Sequence, residues 1–223
     1  MIRAVIFDLD GTLYDYEACN VIAEDKLSLE AEKRLGMDSE TFHRILKEAK
    51  EDVKDRLGNV AASHNRLLYM QRMCEMAGAN PCIHGMALYN AYWDAMLDAM
   101  TPYHYVDTLF LWLKRAEIRI ALLTDMTAHI QYRKIEKLKI GSDLDCIVTS
   151  EEAGVEKPDR GMFKRILEKV GLWPEEALMV GDSQKRDIDG AKAMGMDGIL
   201  YDGQENFAEM VMTHIKERNQ EDK

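Results

Sequence analysis

The sequence predicts an α/β fold: a parallel five-stranded sheet flanked by helices, with an all-helical segment inserted after the first strand. Three observations carry this. Five short runs are apolar at nearly every position and end in a polar residue: Ala4–Phe7, Ile118–Leu123, Cys146–Val148, Ala177–Val180 and Gly198–Tyr201. Continuously apolar strands belong to parallel sheets covered on both faces. Beyond residue 100 these runs alternate with stretches of helical period, as βαβ units require. Between residues 16 and 100 no strand-like run occurs.

Taken in order, Ala4–Phe7 is the first strand, and Gly11 turns the chain straight after it. In the insertion, Phe42, Ile45, Leu46, Ala49, Val53 and Leu57 keep the spacing of one helix face, with Asp38 or Ser39 at its start. Gly36 and Gly78 suit helix C-termini, where the left-handed conformation favours glycine. Asn80-Pro81 breaks the chain before a further helix containing Met86, Tyr89, Trp93 and Met96. Helices near 104–115, 127–138, 159–170, 184–194 and 206–217 then alternate with the remaining strands. Asn219–Lys223 reads as a frayed polar tail. The domain reading is a core of residues 1–15 and 101–223 with a helical cap over 16–100.

A chain of 223 residues that is 47% hydrophobic can bury an ordinary core. Its net charge of −11 argues against nucleic acid, which needs a basic surface. Cys19, Cys74, Cys82 and Cys146 form no CxxC pair and no metal-ligand spacing, so they read as reduced thiols of a cytoplasmic protein. No signal peptide or membrane span is expected, because Arg3 and Asp8 interrupt the first apolar run. The fifteen methionines, many of them between Met70 and Met100, suggest an adaptable helical core.

The strand ends carry the chemistry. Ligands of parallel sheets bind beyond the carboxyl ends of the strands, so Asp8, Asp10, Thr124 and Asp182 are expected on one rim. Asp8 and Asp10 converge at one strand tip, and their charges repel unless a cation or proton lies between them. Oxygen ligands at this density suit Mg2+. Singly, each group has a plainer use. Asp8 and Asp10 could cap the turn, Thr124 could cap the next helix, and Lys157-Pro158 could begin one. Jointly, complementary groups at one sheet edge point to a site.

Four segments, Asp8-Leu-Asp-Gly-Thr-Leu, Leu122-Leu-Thr-Asp125, Glu156-Lys-Pro-Asp159 and Gly181-Asp-Ser-Gln-Lys-Arg-Asp187, resemble in order the motifs of the haloacid dehalogenase-like (HAD) hydrolase superfamily. The resemblance covers residues 1–15 and about 105–205. It implies a Rossmann-like core with a helical cap of the family's first subfamily, and the phosphatase branch. Asp8 is then implied as the nucleophile that forms an aspartyl-phosphate, and Asp10 as general acid and base. Mg2+ would be held by the side chains of Asp8 and Asp182 and the backbone carbonyl of Asp10. Thr124 and Lys157 would bind the transferring phosphoryl oxygens beside Asp125, and Asp187, one layer behind the metal, would order water or orient Lys157. Met126 and Arg160-Gly161 depart from residues frequent in the family and bear on loop shape.

Asp10 argues against the family's dehalogenases and phosphonatases, which lack an acid there. A phosphomutase like β-phosphoglucomutase, or a non-catalytic binding protein on the same fold, are the alternatives. The expected partner is a small phosphomonoester, with no nucleic acid and no membrane, and the chain a monomer or homodimer. The insertion of about 85 residues is too long for a loop and reads as a lid that selects the substrate. Within it, His64-Asn65-Arg66 reads as a solvated helix face, with His64 watched as a substrate contact and Arg66 as a cap position whose substitution should change the preferred substrate. Tyr14 and Asp15 stand at the hinge.

Overall fold

A computed structural model describes residues 1–221 and divides the chain into two compact units, residues 1–15 with the chain from Thr101 onward, and Tyr16–Met100. The first unit is built on five parallel strands: β1 (Ala4–Phe7), β2 (Arg119–Thr124), β3 (Cys146–Thr149), β4 (Ala177–Gly181) and β5 (Asp197–Leu200), in the order β3-β2-β1-β4-β5. Ala4 lies opposite both Arg119 of β2 and Ala177 of β4, so β1 is the centre of the sheet. From β1 the chain winds outward through β2 and β3, then crosses back to β4 and β5. The order therefore reverses between β1 and β4, where α/β sheets open a crevice beyond their strand ends.

The second unit consists of α1 (Tyr16–Leu35), α2 (Ser39–Leu57), a 3₁₀ turn (Ala61–His64), α3 (Arg66–Met76) and α4 (Pro81–Ala99). α1 and α3 pack along α4, and α2 packs on α3. Asp38 caps α2 through the Thr41 amide at 2.8 Å, and Asn80 caps α4 through the Cys82 amide at 2.9 Å, with Pro81 in the first turn. Buried Met70, Met73 and Met96 fill this interior beside Phe42, Leu88 and Trp93. Leu57 and Met86 keep the helical period but are exposed, Leu57 because it ends its helix.

The solvated face expected at His64-Asn65-Arg66 is not what forms. Asn65 caps α3 through the Leu67 amide at 2.9 Å, while Arg66 is buried. Its guanidinium donates to the Tyr16 hydroxyl at 2.7 Å and the His64 carbonyl at 2.9 Å, within 6 Å of the Tyr69, Tyr92 and Trp93 ring centres. Aromatic faces replace water around the cation. Helical period alone cannot see that cage, because its rings come from three helices.

In the first unit, α5 (His104–Arg115), α6 (Ala128–Leu138), α7 (Ser150–Ala153), α8 (Arg160–Val170), α9 (Gly190–Lys192) and α10 (Phe207–Glu221) surround the sheet. Alternate residues of each strand face opposite sides. Ala4, Ile6, Ala121, Leu123, Val148 and Met179 meet Met162, Phe163 and Ile166 of α8. On the other side Phe7 packs on Phe110 of α5, ring centres 5.2 Å apart. Each of the larger of these side chains, Ile, Leu, Val, Met and Phe, contributes about 1.5–3 kcal/mol on burial. The helix expected over 184–194 begins instead as a π turn, Gln184–Asp189, in which the Ile188 amide reaches the Ser183 carbonyl five residues back. The frayed tail is also corrected: Asn219 Oδ1 accepts from the Ile2 amide at 2.5 Å, anchoring α10 beside β1. Asp222 and Lys223 lie outside the described residues.

Candidate active site

Sheet pairing delivers the first carboxylate. The Asp8 amide donates to the Val180 carbonyl at 2.9 Å, so Asp8 leaves β1 still bound to β4 at the point where strand order reverses. The chain then turns, with the Leu13 amide on the Leu9 carbonyl at 3.0 Å. Gly11 has φ +83°, and any side chain there would overlap the Asp182 carboxylate. Only glycine lets these two strand ends approach. The Tyr105 hydroxyl donates to the Thr12 carbonyl and fixes the turn from α5.

Lys157 is the centre of the charge arrangement. It is buried, and its Nζ donates to Asp8 Oδ1 at 2.6 Å and to Asp187 Oδ1 at 2.7 Å. Its own amide donates to Asp125 Oδ1 at 3.0 Å. Asp187 belongs to the π turn after β4, and its second oxygen accepts from the Ser183 amide at 3.0 Å. Gly181 again makes the approach possible, because a methyl there would overlap Asp187. π turns recur where a backbone must present a side chain that a regular helix would misdirect.

Asp10 faces different partners. Lys134 Nζ, fully buried on α6, donates to both Asp10 oxygens at 2.7 Å. The Tyr14 hydroxyl donates at 2.5 Å and Gln131 Nε2 at 3.4 Å. Gln131 Nε2 also donates to Thr124 Oγ1 at 2.6 Å and to the Asp125 carbonyl at 2.7 Å. Thr124 therefore belongs to this cluster and is not a helix cap, and α6 starts after Thr127 instead. Met126, with φ +86°, turns the loop, and its amide donates to Ser150 Oγ at 2.9 Å. Arg186, half exposed, reaches Asp125 Oδ2 at 3.4 Å.

Charge sets the two carboxyls apart. Burial pushes the Asp8 carboxyl up to about 8 against the pull of Lys157, with Asp187 and Asp10 adding to the rise. Burial would raise Asp10 too, but Lys134 and the hydrogen bonds from Tyr14 and Gln131 hold it below the ordinary carboxylate range. Burial raises Asp182 and Asp125, and Asp187 raises Asp182 further. Lys157 is raised because Asp8 and Asp187 outweigh its desolvation.

Asp8, Asp182 and Asp187 each bring a carboxylate oxygen within 4.8 Å of the others. An all-oxygen set whose Asp8 and Asp182 carboxyls stand above their usual range fits a hard divalent cation. Among side chains the trio contains Asp8 and Asp182, the two carboxylates of the metal set read from the sequence, and adds Asp187; Asp10, whose part in that set is its backbone carbonyl, turns its carboxylate to Lys134. Both Asp187 oxygens are already bonded, to Lys157 and to the Ser183 amide, which suits a supporting position.

Asp8, Asp125, Lys157 and Asp187 are thus joined directly, as are Asp10 and Thr124 through Gln131, and Asp182 stands across Gly11. Sequence reading missed Lys134, Gln131 and Arg186. The first two carried a signal: the buried face of α6 is Ile130, Gln131, Lys134, Ile135 and Leu138, so two polar residues occupy positions where a core helix places apolar ones.

Comparison with known proteins agrees with this geometry. Residues 2–195 match the haloacid dehalogenase-like hydrolase family. The ribulose-1,5-bisphosphate 5-phosphatase of Halopiger xanaduensis is 38% identical over 208 residues, 92% of this chain and 87% of that protein. The glyceraldehyde 3-phosphate phosphatase of Methanothermobacter thermautotrophicus is 26% identical over 210 residues, 94% and 89% of the two chains. Among solved structures, the magnesium-bound HAD-fold protein YfnB of Bacillus subtilis superposes with a TM-score of 0.67 at 21% identity, covering 89% of this chain and 88% of that one, a likeness of fold. With a family match over most of its length and a close relative aligned almost end to end, this chain belongs to the haloacid dehalogenase-like hydrolases.

Proposed function

We propose that the protein is a Mg2+-dependent phosphatase that hydrolyses a small phosphomonoester through an aspartyl-phosphate on Asp8. The observation that carries this is the contrast between the two carboxyls of one strand tip. Asp8 is buried against Lys157 within the acidic trio, and Asp10 is held two residues away by separate partners. That the relatives described above are phosphatases of phosphorylated sugars makes sugar phosphates the first substrate class to test.

The residues divide the work as follows. Asp8 attacks phosphorus and the bond to the leaving oxygen breaks, while Asp10, which rests as a carboxylate beside Lys134 and takes up a proton as the substrate dianion binds, gives that oxygen the proton. Asp10 then takes a proton from the water that attacks the aspartyl-phosphate, releasing phosphate and regenerating Asp8. Lys157 and Thr124 supply positive charge and a hydroxyl donor to the transferring oxygens. The side chains of Asp8 and Asp182, with the Asp10 carbonyl, would hold Mg2+, and Asp187 would keep Lys157 in place. When bound, the cation offsets the negative charge that would otherwise keep a phosphate dianion away from Asp8.

Residues 16–100 are assigned to a cap that selects the substrate, on their size and their insertion after the first motif. A cytoplasmic setting is assigned on the cysteines, none of which is in a disulfide. No helix among the described residues is long and apolar enough to cross a membrane. Assay of the purified protein against a panel of sugar, nucleotide and aryl phosphates tests the reading. Release of phosphate by the parent and not by Asp8→Asn supports it, and full turnover by Asp8→Asn overturns it.

A further inference from the structure

Lys134 has no part in the roles assigned above, yet it is the most completely buried charge at the site. A lysine ammonium taken out of water is costly unless paired and hydrogen-bonded. Here Nζ spans both oxygens of one carboxylate at 2.7 Å and contacts the Met126 sulfur at 3.7 Å. One helical turn earlier, Gln131 bonds Asp10, Thr124 and the Asp125 carbonyl with a single nitrogen. Residues three apart share a helix face, so α6 presents one rigid pair to the first and second motifs together. Without that pair, Asp10 would hang from a turn after β1 with Tyr14 as its other hydrogen-bond donor among the described residues.

We infer that Lys134 is a positioning residue for the leaving-group step: with Gln131 it fixes the Asp10 carboxylate in register with Thr124, so that Asp10 meets the departing oxygen in one defined place. The inference rests on the phosphatase reading and goes beyond it, since the two lysines of the site then have separate duties. Lys157 serves Asp8, and Lys134 serves Asp10. As the substrate oxygen approaches one oxygen of Asp10, Lys134 retains the other, and the side chain needs no search for its orientation. Lys134 acts through Asp10 and touches no substrate.

Positioning of a proton donor has a signature that a purely structural lysine lacks. An aryl leaving group departs without being protonated, whereas an alkyl one does not. The experiment compares an alkyl phosphate, glycerol phosphate, with p-nitrophenyl phosphate in the full-length protein with Mg2+ present. Lys134→Met is expected to lower the single-turnover rate of aspartyl-phosphate formation from the alkyl phosphate, read by rapid quench, by about a hundredfold, within the range of general-acid contributions, with the half-saturating substrate concentration changed by less than about threefold. On the aryl phosphate the same rate of aspartyl-phosphate formation is expected to fall by less than about fivefold, while hydrolysis of the aspartyl-phosphate, for which Asp10 is the base with either substrate, slows equally for both.

Because Lys134→Met leaves a carboxylate without its partner, Asp10→Asn and the double variant complete a cycle. If Lys134 acts through Asp10, adding Lys134→Met to Asp10→Asn changes alkyl turnover no further. Equal losses in aspartyl-phosphate formation from both phosphates, or losses that multiply in the double variant, overturn the inference. A parent protein inactive on both phosphates, or an Asp8→Asn variant as active as the parent, counts against the phosphatase reading instead.

Discussion

At the scale of single residues, the site is a set of charges made tolerable by their neighbours. Asp8→Asn keeps the shape and removes the nucleophile, so it is expected to fold as the parent does and lose at least about a thousandfold in kcat, roughly 4 kcal/mol of barrier. Steady-state kinetics with circular dichroism check both halves. Lys157 is the partner of two buried carboxylates. Lys157→Met is expected to cost about 3–5 kcal/mol of stability, because breaking a buried pair strands the remaining charge. Thermal melts with and without Mg2+ read this out, and added Mg2+ should recover part of the lost Tm. Asp8, Asp10, Thr124 and Asp182 could be singled out because each sits at or just past the end of an apolar strand run, and Lys157 because it stands in the Glu156-Lys-Pro-Asp159 run. Lys134 and Gln131 were not. Asp10, the partner they share, lies about 120 residues away, so that only the polar interruption of an apolar helix face marked them.

At the scale of elements, the π turn after β4 is a device for aiming Asp187 back over Gly181. Gly181→Ala would drive a methyl into that carboxylate, displace it from Lys157, and lower kcat by about tenfold or more, as small misplacements of catalytic groups do. Unchanged turnover in this variant would remove Asp187 from the account. A surface contrast is instructive. Glu152 of α7 bonds Arg165 and Lys169 of α8, and these partners hold its carboxyl low although burial opposes them. Its folded pKa is depressed, so its stabilisation is present above the usual glutamate pKa and fades as pH falls through the folded value. Being partly exposed, Glu152→Gln is expected to cost no more than about 1 kcal/mol at neutral pH in urea melts. The strands and most helices were readable from apolar runs, periods and caps. The π turn was not, since residues 184–194 keep an ordinary helical spacing and nothing in that pattern marks its wider first turn. Nor was the burial of Arg66, whose cage is assembled from rings on α1, α3 and α4.

At the scale of the molecule, strand order explains why residues from both ends of the chain share one rim. β1 leads into Asp8 and Asp10, β2 ends in Thr124 and β4 leads into Asp182, on one rim of a sheet that the apolar runs predict to be parallel. The chain divides into two compact units at residues 15/16 and 100/101, and the role of the helical one stays a proposal. An all-oxygen trio predicts that excess chelator abolishes turnover and that Mg2+ restores it, with Asp182→Ala needing markedly more metal for half-activation. Activity that persists in chelator would contradict the cation. In oxygen-18 water, a hydrolase labels the released phosphate once per turnover, whereas a mutase returns isomerised sugar phosphate with little free phosphate.

The central claim is a covalent bond between phosphorus and Asp8, and one measurement addresses it directly. Enzyme in excess over a substrate found by the panel is quenched in acid within the first turnover, reduced with borohydride and digested, and the peptide spanning residue 8 is sequenced by mass spectrometry. Borohydride converts an acyl phosphate to an alcohol, so the account predicts homoserine at position 8 in substrate-treated protein and aspartate there in the untreated control. Phosphate release in the same quench with aspartate intact at position 8, or homoserine at another acidic residue, would contradict it.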